Sequence, residues 1–294
     1  MPLDELLKYF MEWKEHTTTP IQNLFFDDYG AHGYFADMRL HSAFQPLFAA
    51  DGLKVAAHEA LLRASDGNGH SISPLDAFAV PKTSDEIVYF DRLVRVLHAL
   101  NFVHQSDGKA DLFVNISGRH LLSVSGGHGQ TFEALLRYCG LRTSQIVLEI
   151  LESHVDNLRH LQNAITAYRQ RGYRVAIDDF GCENSNFDRL WQLTPDIVKL
   201  DRSLIVEATQ NARARRILPK IVEIIHDLDA QVVCEGIETL QQHQLALDAG
   251  VDLVQGYFYA KPSPILVNSV PADVPLTKWR AAPNGIRTLA VCPD

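Results

Sequence analysis

The chain has 294 residues, of which 46% are hydrophobic, and its 36 Asp and Glu against 27 Lys and Arg give a formal net charge of −9. This balance argues against a nucleic-acid polymer as partner, because such binding rests on Lys and Arg that neutralise phosphates. No stretch approaches the about 18 apolar residues of a membrane span, and the N-terminal residues lack a signal-peptide pattern.

The length and apolar content suit one large core of the size of a (β/α)8 barrel, which takes about 250 residues. The four cysteines form no CxxC pair and have no zinc-ligand spacing. That usage is typical of reduced thiols. We therefore expect one main domain in a soluble, cytoplasmic protein.

Apolar positions at helical spacing predict an amphipathic helix over residues 4–15, and the aromatic-rich residues 20–40 are predicted to be irregular. Short apolar strands then alternate with amphipathic helices. The predicted strands are 44–49, 55–62, 112–116, 146–150, 174–178, 197–200, 231–234 and 253–258. The predicted helices are 85–100, 130–139, 156–170, 186–193, 211–228 and 239–249. This alternation predicts βαβ units and a mainly parallel sheet.

The first two strands are joined only by residues 50–54, which is too short for a parallel crossover. We therefore predict an α/β fold, a modified TIM (β/α)8-type barrel with one antiparallel strand. The barrel is assigned to residues 41–264, after a helical lead-in over 1–40 and before a Pro-rich, irregular tail over 265–294 that lies on the barrel or is partly mobile.

Acidic side chains recur at the ends of the predicted strands or just after them. They are Glu59, Glu149, Glu152, Asp178, Asp179, Asp201, Glu235 and Glu238. Parallel strands converge at one end of a barrel, where so many carboxylates repel one another unless cations neutralise them. With Asn115 as a neutral oxygen donor, this set favours Mg²⁺ or Mn²⁺ over zinc or copper. Calcium fits the same oxygens in a looser geometry, and we expect it to inhibit.

The spacing of the motif residues indicates which way their side chains point, because residues two apart in a strand share a face. Lys199 and Asp201 can therefore both point into the barrel mouth. Asp178 and Asp179 cannot both project inward from a regular strand, so one of them must lie where the strand has turned into its loop. Glu152, like Glu238, belongs to the loop behind its strand.

Each motif alone has a simpler explanation. A single acid after a strand is usually a solvated loop residue or a cap. The triplet Glu-Ala-Leu at 59–61 recurs at 133–135 inside a predicted helix, where it carries no meaning. The glycine-rich residues 123–129 lack the spacing of a P-loop or dinucleotide motif and are predicted to be a flexible connector. Only the ordered set of motifs indicates function.

Taken in chain order, the motifs resemble those of the EAL-domain family of cyclic di-GMP phosphodiesterases, across about residues 43–264. The matching text is Gln45-Pro46, Glu59 to Arg63, Asn115-Ile116-Ser117, Leu148 to Glu152, Asp178-Asp179-Phe180-Gly181, Lys199-Leu200-Asp201, Glu235 to Thr239 and Gln255-Gly256-Tyr257. The resemblance implies a barrel with one antiparallel strand. It also implies hydrolysis of cyclic di-GMP to linear 5′-pGpG by a water that two metal ions activate.

The resemblance also implies roles for individual residues. Ligands of the first metal would be Glu59, Asn115, Glu149 and Asp178, and ligands of the second would be Asp178, Asp179 and Glu235. The residues assigned to catalysis are Lys199, Glu235 and Glu59. The residues assigned to substrate binding are Gln45 through guanine, Arg63 through phosphate, Asp201 and Gln255. Glu152 would tether the loop after Asp179, and Glu238 would support the metal site.

The largest departure from the family pattern is the loop 181–187, which reads Gly-Cys-Glu-Asn-Ser-Asn-Phe where relatives have a Thr-Gly-Tyr-Ser-Ser-Leu-like text. This departure keeps a second hypothesis open, a receptor that binds cyclic di-GMP without hydrolysing it. A third hypothesis is a barrel hydrolase for another phosphodiester, which Gln45 and Arg63 make less favourable. The resemblance further implies a homodimer.

The altered loop leads to a first prediction. Restoring family-like residues in the double variant Glu183→Gly, Asn184→Tyr should change turnover or dimerisation, because this loop in relatives links substrate, metals and the dimer contact. Initial rates and gel filtration test this, and a double variant identical to the natural chain in both would refute the importance of the departure.

Overall fold

The computed structural model describes residues 23–28, 30–124, 126–151, 158–182 and 187–270, together with residue 274. In these ranges eleven strands form one sheet. Eight of them close into a barrel, because the third strand in sequence pairs with both the fourth and the eleventh. The predicted α/β barrel is confirmed.

The eleven strands are numbered in chain order. They are β1 (Leu24–Asp27), β2 (Gly30–Phe35), β3 (Met38–Ala49), β4 (Val55–Ser65), β5 (Ser71–Ile72), β6 (Asp111–Ile116), β7 (Ile146–Leu151), β8 (Arg174–Phe180), β9 (Ile197–Leu200), β10 (Gln231–Cys234) and β11 (Leu253–Val254). The barrel consists of β3, β4 and β6 to β11, while β1, β2 and β5 extend the sheet outside it.

Nine α-helices are described. They are α1 (Pro74–Ala79), α2 (Ser84–Gln105), α3 (Gly118–Ser123), α4 (Gln130–Cys139), α5 (Leu158–Gln170), α6 (Phe187–Leu193), α7 (Arg202–Gln210), α8 (Ala212–His226) and α9 (Leu240–Ala249). Local signals fix several of their starts: α2 begins at a capping box of Thr83 and Glu86, and α9 at one of Thr239 and Gln242. None of these helices is long and apolar enough to cross a membrane.

β3 is the antiparallel strand that the short connection predicts. It runs antiparallel to β4 on one side and to β11 on the other, while every other neighbouring pair in the barrel is parallel. The link between β3 and β4 has room only for a turn, so the barrel closes without a helix at that point. The carboxyl ends of the parallel strands consequently converge on one mouth.

The barrel interior is filled by one apolar layer to which each strand contributes one buried side chain. The layer consists of Leu47, Ala57, Phe113, Val147, Ala176, Ile197, Val233 and Leu253. Outward-facing strand residues pack against the helices in two larger clusters, one containing α2 and the other containing α8. Layered packing of this kind makes the barrel a solid core and fixes the height at which the next inward-facing residues emerge.

The structure differs from the prediction at several elements. Residues 20–40 are not irregular throughout, because β1, β2 and the start of β3 lie there. The predicted helix 211–228 is preceded by α7, which the sequence pattern did not reveal, and the predicted strand 253–258 is only two residues long. Short elements such as β5, α1 and α3 were also missed, since they carry too few residues to show a period.

The predicted N-terminal helix 4–15 lies outside the described residues, as does most of the predicted tail. The described beginning of the tail packs on the barrel: Leu266 is buried and its backbone N–H donates to Gln105 Oε1 at 3.0 Å. The three cysteines within the described ranges, at positions 139, 182 and 234, form no disulfide with one another. The domain boundaries themselves stay predictions.

Asn101 ties the sheet extension to the barrel. Its Oδ1 accepts the backbone N–H of Ala31 at 2.7 Å, and its Nδ2 donates to Ala31 O at 2.8 Å and to Ser42 Oγ at 3.1 Å. Because these groups are buried, Asn101→Ala should lower the free energy of unfolding by about 2–4 kcal/mol. Urea unfolding measures this, with the exposed Asn68→Ala as a control expected within about 0.5 kcal/mol. Equal stabilities of the two variants would contradict the assigned role.

Candidate active site at the barrel mouth

A ring of polar side chains lies immediately above the apolar layer. Each ring residue is two positions closer to the mouth than the layer residue of its own strand, so it points to the same interior. The ring consists of Gln45, Glu59, Asn115, Glu149, Asp178, Lys199, Glu235 and Gln255. The structure therefore brings together the side chains that the sequence placed at the strand ends.

Lys199 is at the centre of this ring, with only 1% of its side chain exposed. Its Nζ lies 2.6 Å from Glu235 Oε1, 3.0 Å from Asp178 Oδ1 and 3.6 Å from Glu59 Oε2. Nζ also contacts Glu149 Oε1. One ammonium group thus faces four carboxylates contributed by four different strands or strand ends.

Asp179 adds a fifth carboxylate through an unusual backbone conformation. Its φ is +56°, and the pairing of β8 with β9 shifts register between Ile177 and Phe180. This irregularity satisfies the parity expectation that Asp178 and Asp179 cannot both project from a regular strand. Carboxylate oxygens of Asp178, Asp179 and Glu235 lie within 4.8 Å of one another, a spacing at which they could share a metal ion.

Two amides hold carboxylates in place within the ring. Asn115 Nδ2 donates to Glu149 Oε2 at 3.0 Å, and Gln255 Nε2 donates to Glu59 Oε2 at 2.8 Å. Each bond leaves the amide oxygen of Asn115 or Gln255 as a further acceptor or ligand atom. The four carboxylates of the ring and that of Asp179 thus lie, together with the amide oxygens, around one ammonium group.

The electrostatics follow from burial and crowding. Burial raises the pKa of Glu149 well above its ordinary value, and the neighbouring Glu59 carboxylate raises it further. Burial likewise raises the pKa of Glu235, with Lys199 opposing that shift. Burial alone would lower the pKa of Lys199, but the carboxylates around it, Asp178 first, raise it well above its ordinary value. Lys199 is therefore held as a cation, and the site as a whole favours added positive charge.

Asp201 lies at the edge of the ring, and its side chain has a structural partner. It is the N-cap of α7, and its Oδ1 accepts the backbone N–H of Ser203 at 2.9 Å. The residue nonetheless stays near the site, since its charge helps to raise the pKa of Asp179 after burial and Asp178.

Two other residues with predicted substrate roles line the same side of the barrel. Gln45 is directly opposite Glu59 across the antiparallel pair, and its Nε2 donates to Ala260 O at 3.2 Å. Arg63 follows Glu59 on the same face of β4, four residues along, and is exposed. An exposed guanidinium beside an acidic mouth is available to a phosphate.

Of the two residues that the sequence assigns to loops, Glu152 and Glu238, only Glu238 lies within the described residues. Glu238 forms an ion pair with Arg202, whose Nη2 lies 2.7 Å from Glu238 Oε2. Arg202 was not singled out from the sequence, although its position directly after Lys199-Leu200-Asp201 is the signal that could have indicated it. Glu152 lies outside the described residues.

Gly256 is a further residue whose importance the sequence did not reveal. A Cβ at this position would overlap backbone atoms of Ile237, in the segment that follows Glu235. That segment is bonded to the end of β11, since Ile237 N–H donates to Gln255 O at 3.1 Å. The glycine therefore allows the two chain segments that carry Glu235 and Gln255 to meet.

The fold and the ring define this protein as an α/β barrel with an acidic, oxygen-rich mouth. The EAL domain family model matches residues 34–262. The chain belongs to the EAL domain family.

Relatives and solved structures extend this match. The cyclic di-GMP phosphodiesterase PdeF of Escherichia coli K12 is 27% identical over 213 residues, which is 71% of this chain and 28% of the relative. The calcium and cyclic di-GMP complex of BlrP1 from Klebsiella pneumoniae has 26% identity and a TM-score of 0.70, over 79% of this chain and 57% of that one. A manganese and cyclic di-GMP complex of BlrP1 at pH 6 has 26% identity and a TM-score of 0.69, over 82% and 59%. This chain thus spans less than two thirds of the length of each.

The contact at Gly256 gives a third prediction. Gly256→Ala should lower the free energy of unfolding by about 3 kcal/mol or more, because the added methyl group must displace the backbone of Ile237. Chemical unfolding measures the loss. Gly52→Ala is the matched control, since a Cβ there meets open space, and a Gly256→Ala variant as stable as this control would contradict the steric argument.

Proposed function

We propose that this chain is a metal-dependent phosphodiesterase that hydrolyses cyclic di-GMP to linear 5′-pGpG. The observation that carries the proposal is the buried Lys199 ammonium among four carboxylates, with a fifth supplied by Asp179, at the convergence of the strand ends. The choice of substrate is supported by the name of PdeF and by the cyclic di-GMP bound in the BlrP1 complexes.

The residues of the ring fit divalent cations. Five carboxylates against one ammonium leave a large excess of negative charge in a largely buried space, and all available ligand atoms are oxygens, as Mg²⁺ and Mn²⁺ prefer. The residues that would hold a first ion are Glu59, Asn115, Glu149 and Asp178, and those that would hold a second are Asp178, Asp179 and Glu235. Calcium, which is bound in one BlrP1 complex, is expected to inhibit this chain.

When bound, two such ions would supply a water of lowered pKa and would neutralise charge on the attacked phosphate. In the proposed hydrolysis, the oxygen of a water becomes bonded to phosphorus and the bond from phosphorus to the 3′ oxygen breaks. The leaving 3′ oxygen takes up a proton, and the phosphate stays on the 5′ side, which gives 5′-pGpG. One water is consumed for each bond cleaved.

The chain's own residues then have defined tasks. Lys199 places a permanent cation in the reacting space, where it orients the water or offsets charge that develops on the phosphoryl oxygens. Gln255 keeps Glu59 oriented through its hydrogen bond. Arg63 pairs with a substrate phosphate, and Gln45 contacts guanine.

A receptor that binds cyclic di-GMP without turnover is the second candidate. It is favoured by the altered sequence of loop 181–187 and by nothing in the ring, which retains each predicted ligand within the described residues. A homodimer in the cytoplasm remains part of the proposal, and gel filtration tests the oligomeric state.

The direct experiment follows linear pGpG by chromatography after incubation with cyclic di-GMP and Mg²⁺ or Mn²⁺, with EDTA and Ca²⁺ as controls. Product that requires Mg²⁺ or Mn²⁺ supports the enzyme. Binding without product supports the receptor, and absence of binding refutes the substrate. Competition by other phosphodiesters distinguishes a hydrolase of different specificity.

A fourth prediction concerns the first Glu-Ala-Leu triplet. Glu59→Ala should lower turnover more than about a hundredfold, because it removes a metal ligand and a carboxylate beside Lys199. The second triplet offers a matched control: Glu133 lies in the helix α4, outside the ring, and forms ion pairs with Arg137 and Arg171. Glu133→Ala should keep its rate. Full activity of Glu59→Ala would refute the metal assignment.

A fifth prediction separates rate from binding at Lys199. Lys199→Ala should lower kcat about a hundredfold while the affinity for cyclic di-GMP, measured by calorimetry with Ca²⁺ present, changes little. Because the variant also leaves buried carboxylates without their ammonium partner, its melting temperature is recorded with and without Mn²⁺. A parallel loss of rate and affinity in a folded variant would show that Lys199 serves substrate binding instead.

A further inference from the structure

The sheet face that carries Gln45 and Glu59 continues beyond the barrel mouth. β3 and β4 stay paired past these two residues, as far as Arg39 at the outer end of β3. Residues two apart in a strand share a face, and so do residues directly opposite one another in neighbouring strands. His41 and Arg63, which are opposite one another, therefore share a face with Glu59 and lie farther from the barrel core.

Two further strands widen this face. Tyr34 of β2 is opposite Arg39, and Phe25 of β1 is opposite His32. The rings of Phe25 and Tyr34 meet edge to face, with 5.6 Å between their centroids. The ring of His32 lies 5.9 Å from that of Tyr34 and 6.2 Å from that of His41. The inner face of β1 to β4 thus forms a wall beside the mouth, called here the mouth wall, which consists of Phe25, His32, Tyr34, Arg39, His41 and Arg63.

The mouth wall has an excess of positive charge. Arg39 and Arg63 are both exposed, and neither forms an ion pair within the part of the chain that the structure describes. Arg63 Nη1 donates to the adjacent carbonyl, Leu62 O, at 3.0 Å. Apart from Glu59, the acid that the strands present on this face is Asp27, near the outer edge of the sheet. Two exposed cations therefore extend the acidic mouth on one side.

His41 lies between these two arginines. It is opposite Arg63 and two residues from Arg39 along β3. Burial lowers the pKa of His41, and the charge of Arg39 lowers it further. His32 acts in the same direction and Asp27 against it. At pH 7 the His41 ring is therefore neutral and has one N–H to donate.

Arg39 and Arg63 are close enough to contact one group. Arg39 is directly opposite Ser65, so Arg63 is its diagonal neighbour on β4. The Cα atoms of diagonal neighbours in an antiparallel pair are about 7–8 Å apart, which long side chains bridge. Each guanidinium has a planar fork of N–H donors that suits phosphate oxygens. Two such forks and the His41 ring can hold a single phosphate group.

We propose that Arg39 and His41 act with Arg63 as a second phosphate-binding position, which takes the phosphodiester of cyclic di-GMP that is not attacked. This inference rests on the proposed function, since it takes the attacked phosphate to lie at the metal ligands around Glu59. Arg63 follows Glu59 by about 13 Å along β4, a distance that an arginine side chain and a dinucleotide together cover. Because the two phosphates of a cyclic dinucleotide are joined through its sugars, one bound at the ring presents the other to the mouth wall.

The test measures the Kd of cyclic di-GMP by calorimetry with Ca²⁺ present, and kcat and KM with Mn²⁺, on the full chain. Arg39→Gln should raise both Kd and KM about tenfold, because it removes a charge-assisted contact to phosphate, while kcat changes less than about twofold. Arg39→Lys, which keeps the charge, should recover part of the affinity. His41→Phe, which keeps a ring beside His32, should raise Kd about threefold or more.

Arg216→Gln, on the exposed face of α8, is the charge-matched control and should leave Kd, KM and kcat unchanged. If the natural chain binds cyclic di-GMP and Arg39→Gln binds it equally well, the second phosphate position is refuted and the proposed function stands. A fall in kcat at unchanged KM in Arg39→Gln would also refute that position. If the natural chain does not bind cyclic di-GMP, both the position and the proposed function are refuted.

Discussion

Repulsion among five carboxylates at the barrel mouth is the constraint on which the rest of this structure depends. Parallel strands bring these side chains together because their carboxyl ends converge, and burial removes the water that would otherwise screen them. A single ammonium, that of Lys199, counters only part of the charge. The ring is thus preorganised for additional cations, and its oxygen chemistry points to hard divalent ions.

The height and orientation of the ring come from the apolar layer beneath it. Ala57, Phe113 and Val147 fill the barrel where Glu59, Asn115 and Glu149 emerge two residues later. A slip of one residue in any strand would turn its polar side chain towards the helices and its outward side chain into the mouth. The packed core and the candidate site are therefore specified by the same strand register.

Sequence reasoning reached the parts of the fold that depend on local spacing. The short link after Ala49 predicts an antiparallel β3, which is confirmed. The parity of Asp178 and Asp179 predicts that one of them lies where the strand has turned into its loop; instead β8 continues through Phe180, and the irregularity is a register shift within the strand, with Asp179 at positive φ. The order of the motifs predicted most of the ring, since carboxylates and amides recur near the ends of short apolar runs. These inferences use only the period of a strand and the length of a connection.

Features that depend on contacts between distant segments were not accessible in this way. β1 and β2 are short, and their Phe25, His32 and Tyr34 rings pack on one another where the sequence shows only an aromatic-rich stretch. The role of Gly256 appears only when Ile237 is placed beside it.

Binding of divalent cations by the ring is the central claim, and Mn²⁺ binding to the EDTA-treated chain tests it most directly. Calorimetry or electron paramagnetic resonance should give two Mn²⁺ ions per chain with cyclic di-GMP present, and Asp178→Asn, which alters the proposed shared ligand, should weaken both. Absence of Mn²⁺ binding, or binding that Asp178→Asn leaves unchanged, would contradict the account.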